Sequence, residues 1–449
     1  MENIVDIDLR TKDEKFVWHA MSPYNPQNTL IIDTSEGVWL TDIDGNRYLD
    51  AMAGLWCVNA GYGREEIARA AYEQLLKNCY TPLSIGHTPA ILLSEKINKL
   101  LGDDYVIFYS NSGSEANEVA FKIARQYHKH KGSPERTKII SRYRAYHGNT
   151  SGALAATGQA QRKFKYEALA PGFLHVTPPD TYRMPESASK PTELPSVQEV
   201  DRTMTWELSE TIAAMIMEPI ITGGGVLFPH ENYLKGIREI CDKHGALLIV
   251  DEVICGFGRT GKAFGFQHYG VKPDIITMAK GLTSAYMPLS ATAVKREIYE
   301  AFIATADSDF FRHVNTFGGS PAACAVALKN IEILEREQLF NKSADLGAIL
   351  LEELQAQLGN HPKVGDIRGK GLLIGIELVE DLETKEPVDI SYTNSIIDAC
   401  KKQGVIIGKN GVTTVGYNNV LTLSPPLILS IEEKNIIVEV LVKAFAEHA

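Results

Sequence analysis

Apolar positions in the middle of the chain follow two alternating rhythms. Tyr105 to Ser110, Thr137 to Ser141, Thr211 to Met217, Ala246 to Asp251 and Asp274 to Lys280 are short runs with the length and residue types of buried strands. Between them, apolar residues recur every three or four positions. Glu115 to Lys131 places Ala116, Val119, Ala120, Ile123 and Tyr127 on one helical face, and Asn232 to His244 forms a second such helix, closed by Gly245. Buried strands alternating with amphipathic helices predict parallel strands joined by crossover helices. The basic HKHK that ends the first helix suits the negative end of its dipole. Residues 177–202, rich in Pro, Ser and Glu, break both rhythms and are expected to form a surface loop inside the domain.

The two ends of the chain lack this alternation. Gly37 to Gly45 reads as a hairpin around an Asp-Gly turn. Beyond Gln338 the pattern predicts a long helix, strands at Gly371 to Leu378 and Asn419 to Leu423, and a terminal helix. The expected fold class is α/β: a large domain over 66–337, with a mostly parallel central sheet and helices on both faces. A smaller α+β domain would be built from both chain ends, 1–65 and 338–449.

A net charge of −11 over 449 residues argues against a nucleic-acid or membrane partner, since either would favour a basic face. A small-molecule substrate is therefore expected. The six cysteines include no CxxC pair and no cluster at metal-ligand spacing, and the N-terminus MENIVDIDLRTKDEKF is too charged for a signal peptide. A reduced, cytoplasmic protein is expected.

Three stretches carry candidate chemistry. The run DIITMAKGL ends on Lys280, which alone reads as a lysine extending its stem along apolar surface with its charge in water. Ser112, Gly113 and Ser114, in SNSGSEANE between a strand and a helix, could cradle a phosphate with backbone N–H groups and hydroxyls; alone they read as an ordinary capped helix start. Asp251 ends a strand one βαβ unit before Lys280, at the carboxyl edge where open α/β sheets bind ligands; alone it reads as a cap or loop acid.

Together the three fit one cofactor. Pyridoxal 5'-phosphate needs an amine for a Schiff base, an acid to keep its pyridine nitrogen protonated, and an anion cup. Neither GxxxxGK[ST] nor GxGxxG occurs at the cup. Tyr146 could lie against the cofactor ring and His147 could tune it, though core filler and a structural histidine are the alternatives.

On these residues the chain resembles the class III aminotransferases of fold type I. The resemblance runs through GLWCVNAGYG at 54–63, SNSGSEANE at 110–118, AYHGNT at 145–150, EP at 218–219, DEVICGFGRTG at 251–261, MAKGL at 278–282, TFGGSP at 316–321 and RGKGLLIGIEL at 368–378. It implies that Lys280 forms the Schiff base, Asp251 pairs with the pyridine nitrogen and Val253 packs on the ring face opposite Tyr146. It further implies that Ser112, Gly113 and Ser114 hold the phosphate, joined by Thr316 from a second subunit. Glu218 would be a structural acid behind the cofactor and Arg259 a loop residue near the interface. A homodimer with shared active sites is implied, with pairing into tetramers left open.

Ile254 and Cys255 after DEV, with LWCVNAGYG, resemble the ω-amino acid or amine:pyruvate branch, including its taurine:pyruvate-like members. That resemblance implies ping-pong transfer of an amino group to a keto acid such as pyruvate, with Leu55 and Trp56 as an apolar pocket wall. Many such enzymes carry an arginine before the Ser-Pro-Pro segment. Here no arginine follows Arg368. Arg162 is the preferred substitute partner for the keto acid's carboxylate and Lys409 the reserve, against the alternative of solvated surface charges. An adenosylmethionine-8-amino-7-oxononanoate transaminase, an aminomutase and a non-catalytic binding protein are the competing readings.

Overall fold

The computed structural model describes residues 9–20, 29–102, 104–303, 309–411, 413 and 416–448. The start of the N-terminal stretch and part of GKNGVTTVGYNN lie outside them.

Seven strands form the central sheet, ordered across it as Tyr105–Ser110, Ser290–Lys295, Ile275–Met278, Leu247–Asp251, Ile212–Met217, Lys138–Arg142 and Phe173–Val176. Ser290–Lys295 runs antiparallel to both neighbours, and every other adjacent pair is parallel. All residues of IAAMIM and LLIVD are buried, which explains why these strands read as unbroken apolar runs: helices cover both faces of a parallel sheet. The expected α/β architecture is found.

Helix Gly113–His130 packs on this sheet through Ala116, Val119, Ala120, Phe121, Ile123 and Ala124. Its N-terminus is fixed by a capping box, Ser112 accepting from the Glu115 N–H while Glu115 accepts from the Asn111 and Ser112 N–H groups. At the other end the basic run is divided. Lys129 and Lys131 are available to the dipole, but His128 is buried and its Nε2 bonds the carbonyl of Ala213 at 2.8 Å. Helix Tyr233–His244 stops at Gly245, whose φ of 68° is the left-handed conformation that closes helices.

The chain ends meet in a four-stranded sheet, where Val405–Ile406 pairs in parallel with Arg47–Asp50 beside the meander Ile32–Glu36, Trp39–Asp42 and Arg47–Asp50. A second four-stranded sheet joins Val364–Gly369, Ile374–Leu378, Val420–Leu423 and Gly408–Lys409. The long helix is Leu339–Leu358 and the terminal one Ile431–Glu447.

One expectation is corrected. The stretch 177–202 is not all loop, because helix Pro195–Trp206 begins inside it and buries Val197, Val200 and Met204. Arg259 lies in a turn, as expected, and is fully buried; its guanidinium donates to the carbonyls of Leu372 and Pro425 and to Asn59 Oδ1.

Candidate active site

Asp251 and Lys280 leave the carboxyl ends of adjacent parallel strands, with Asp251 in register with Thr277. Strand Ile275–Met278 stops two residues short of Lys280, which opens a tight turn with φ 44°. A lysine with positive φ is uncommon, and such backbone is held only where packing over-determines it. Gly281 supplies that packing: a Cβ there would lie 2.4 Å from Asn59 Nδ2.

The Lys280 side chain is half-buried, with Nζ 5.5 Å from the ring centre of Trp56. Burial pushes its amine below the usual lysine range. Trp56 sits in a tight turn where Ala53, Gly54 and Trp56 all have positive φ, and Leu55 is 61% exposed in the single chain.

Asp251 is buried and fixed by three groups. Its Oδ2 accepts from Asn117 Nδ2 at 2.9 Å and lies 2.9 Å from His147 Nδ1, while Oδ1 accepts from the Val253 N–H at 3.0 Å. Asn117 also donates to the His147 carbonyl and accepts from Thr277 Oγ1. Among the described residues, buried His147 Nε2 has no partner. Glu218 is buried behind these groups, accepting from the Tyr146 N–H and from both the N–H and hydroxyl of Thr222, and desolvation pushes its carboxyl up.

At the helix N-terminus, Ser112 serves as cap, and Ser114 Oγ accepts from the Asn149 N–H at 3.1 Å. Gly148, at φ 143°, is required by close approach: a Cβ there would lie 2.4 Å from Ser114 Oγ. Gly113 faces Val253, whose two γ-carbons would each be 3.0 Å from an added Cβ. Arg162 lies with its guanidinium carbon 4.7 Å from the Tyr146 ring centre. Its positive charge reaches Lys280 and adds to the burial that depresses the lysine. Lys409 is turned elsewhere, its Nζ bonded to Asn394 Oδ1 at 2.5 Å. Thr316 is exposed on the single chain, and its carbonyl accepts from the Tyr80 hydroxyl.

Residues 20–445 match the family described as Aminotransferase class-III. The chain is 65% identical to an uncharacterized aminotransferase of Bacillus subtilis (strain 168), over 99% of this chain and 98% of that one. It is 43% identical to the taurine–pyruvate aminotransferase of Bilophila wadsworthia, over 98% and 97% of the two chains. A solved structure of a Bacillus anthracis aminotransferase superposes with a TM-score of 0.96 at 63% identity, covering 98% of each chain.

The chain belongs to the class III aminotransferases.

Class III aminotransferases are pyridoxal-phosphate enzymes of fold type I, and the residues present fit that cofactor. The side-chain-free Gly113 at a helix N-terminus, the hydroxyls of Ser112 and Ser114, a buried carboxylate and an amine just beyond the end of the neighbouring strand are the donor set it requires. No group of His, Cys, Asp or Glu able to hold a metal occurs among the described residues, and none of their helices is long and apolar enough to cross a membrane. Sequence reasoning missed Asn117 and Thr277 as supports of Asp251. Asn117 lies within SNSGSEANE, on the same helical face as Ala116 and Ala120, and an asparagine inside an apolar stripe was the signal.

Proposed function

We propose that this aminotransferase moves an amino group from an ω-amino acid or primary amine to a keto acid, pyruvate foremost, in a ping-pong reaction. The observation that carries it is the placement of Lys280 and Asp251 on adjacent strand ends, with Asp251 locked by Asn117, His147 and the Val253 N–H. Ser112, Gly113 and Ser114 would hold the phosphate, Tyr146 and Val253 the two ring faces, and Asp251 the pyridine nitrogen. Bound there, pyridoxal phosphate supplies a carbonyl that captures the donor's amine and an electron-poor ring that stabilises negative charge on the donor carbon. Lys280 Nζ takes the proton from the amine-bearing carbon and returns it on the cofactor side, a task suited to an amine whose proton affinity burial has lowered.

Arg162 is the partner for the substrate's acid group, supported by its position against Tyr146 and by its charge, which is felt at Lys280. Likeness to a taurine–pyruvate aminotransferase supports an acidic ω-amine donor. A panel of β-alanine, taurine, neutral amines and adenosylmethionine against pyruvate, 2-oxoglutarate and oxaloacetate tests the assignment. Alanine formation from pyruvate should dominate; turnover without any added keto acid, or with adenosylmethionine alone among the donors, would overturn it. Arg162→Ala is expected to raise the KM for pyruvate about tenfold or more, the weight of a charged hydrogen bond.

The same proposal includes a homodimer that brings Thr316 to the partner's site. Tyr80, Val314 and Phe317 are 44%, 80% and 67% exposed around Thr316, the kind of apolar surface that marks an interface. Val314→Glu with Phe317→Glu should shift sedimentation towards monomer and lower activity; a fully active dimer would count against this face.

A further inference from the structure

Gln159 is fully buried, yet it lies beside the candidate substrate arginine and has no role in the chemistry described so far. Its Oε1 accepts from Arg162 Nε at 2.7 Å, and its Nε2 donates to the backbone carbonyl of Arg144 at 3.0 Å. An amide has one acceptor end and one donor end. With both committed, it cannot turn over without placing N–H against N–H, so the contact that fixes Gln159 also fixes the guanidinium.

Two further surfaces close around the pair. The guanidinium lies over Tyr146. On another side, the Gly411 N–H bonds the Gly223 carbonyl at 3.1 Å, bringing backbone so close that a Cβ at Gly411 would sit 3.2 Å from Arg162 Nη2 and 3.4 Å from Gln159 Oε1. The anchor is itself anchored. Arg144, whose carbonyl holds Gln159, is buried, donates twice to the Gly224 carbonyl, pairs with Asp180 at 3.0 Å and lies over the Tyr417 ring.

We infer that Gln159 is a positioning residue that pins Arg162 in one place, so that the acid group of the donor and that of the keto acid meet the same stationary cation in the two half-reactions. The inference rests on Arg162 being the acid-group partner proposed above. A pinned guanidinium has a selective consequence. Acidic donors and the keto acid share its benefit, whereas a neutral primary amine gains nothing from it.

Gln159→Met preserves length and volume without either hydrogen bond. With the holoenzyme at a saturating second substrate, KM for pyruvate and KM for β-alanine should each rise about tenfold, in parallel, with kcat changed less than about twofold. KM for a neutral alkylamine should stay within about twofold of wild type. Gln159→Glu keeps the bond to Arg162 Nε but sets a negative charge beside the incoming acid group, and should raise both acidic-substrate KM values further. Should Gln159→Met fail to fold, Gly411→Ala displaces the same guanidinium by contact alone and should move the same constants in the same direction.

Arg162→Ala separates the two possible failures. If that variant leaves the KM for pyruvate unchanged, Arg162 is not the acid-group partner and the inference falls with it. If Arg162→Ala raises it while Gln159→Met and Gly411→Ala do not, the arginine acts without being pinned and the inference alone is overturned. Equal losses for acidic and neutral donors would show a merely structural role for Gln159, with the same result.

Discussion

Lys280→Ala is expected to lower turnover on the order of 10⁴-fold, the upper range for loss of a positioned acid-base group, while leaving the fold intact. The two effects separate because the lysine is poorly suited to its surroundings as a structural residue. Burial holds its proton affinity below that of a free lysine, so the charged amine is less favourable in the native protein than in the unfolded chain. The unfolded chain binds more protons across the interval from the lowered value up to 10.5, and stability rises with pH through it. Below that interval the penalty is fully present. Without cofactor, Lys280→Ala should therefore be no less stable than wild type by thermal unfolding at pH values below the interval. Turnover within tenfold of wild type would sink the role given to the amine. A large loss of thermal stability in the cofactor-free variant would instead show that the side chain carries packing.

Asp251→Asn should lower kcat/KM by about 10²- to 10³-fold, comparable to removing one preorganised electrostatic partner from a buried site. The substitution also disturbs the native state. Oδ2 faces the Asn117 amide and His147, and Oδ1 faces the Val253 N–H, so an amide placed either way sets N–H against N–H. The structural cost is about 1–3 kcal/mol, read as a lower unfolding midpoint. Asn117→Ala distinguishes the two contributions, since it removes one support of Asp251 while leaving the carboxylate charge. Its activity should fall far less. Equal losses in the two variants would mean that geometry, not charge, is what Asp251 provides.

The central strands were legible because a strand buried on both faces must be apolar throughout, and IAAMIM and LLIVD have no other reading at that length. Helix Pro195–Trp206 was missed for a related reason. The Pro195 that suggested a loop occupies the first helical position, where a missing N–H costs nothing. Lys280, Asp251 and the cup were each ambiguous alone and were recognisable as a set, because one cofactor needs all three. The supports of that set were not legible. Arg259 bonds Leu372, Pro425 and Asn59, and Gly281 makes room for Asn59, through contacts between residues far apart in sequence. Local pattern carries no trace of such contacts. Leu55 and Lys409 were named from their neighbourhood in sequence, but side-chain direction, set by the turn at Ala53–Trp56 and by Asn394, decides what each reaches.

The pairing of Val405–Ile406 with Arg47–Asp50 also bears on how the chain is made. A ribosome delivers Asp50 some 355 residues before Val405, a delay of roughly 20–70 s at 5–20 residues per second. Throughout that interval the edge of Arg47–Asp50 that will receive the late strand has no partner, and an unpaired strand edge is a template for pairing with another chain. The nascent protein should thus depend on chaperones until translation is nearly finished, and truncated messages should yield aggregates in place of a stable amino-terminal fragment.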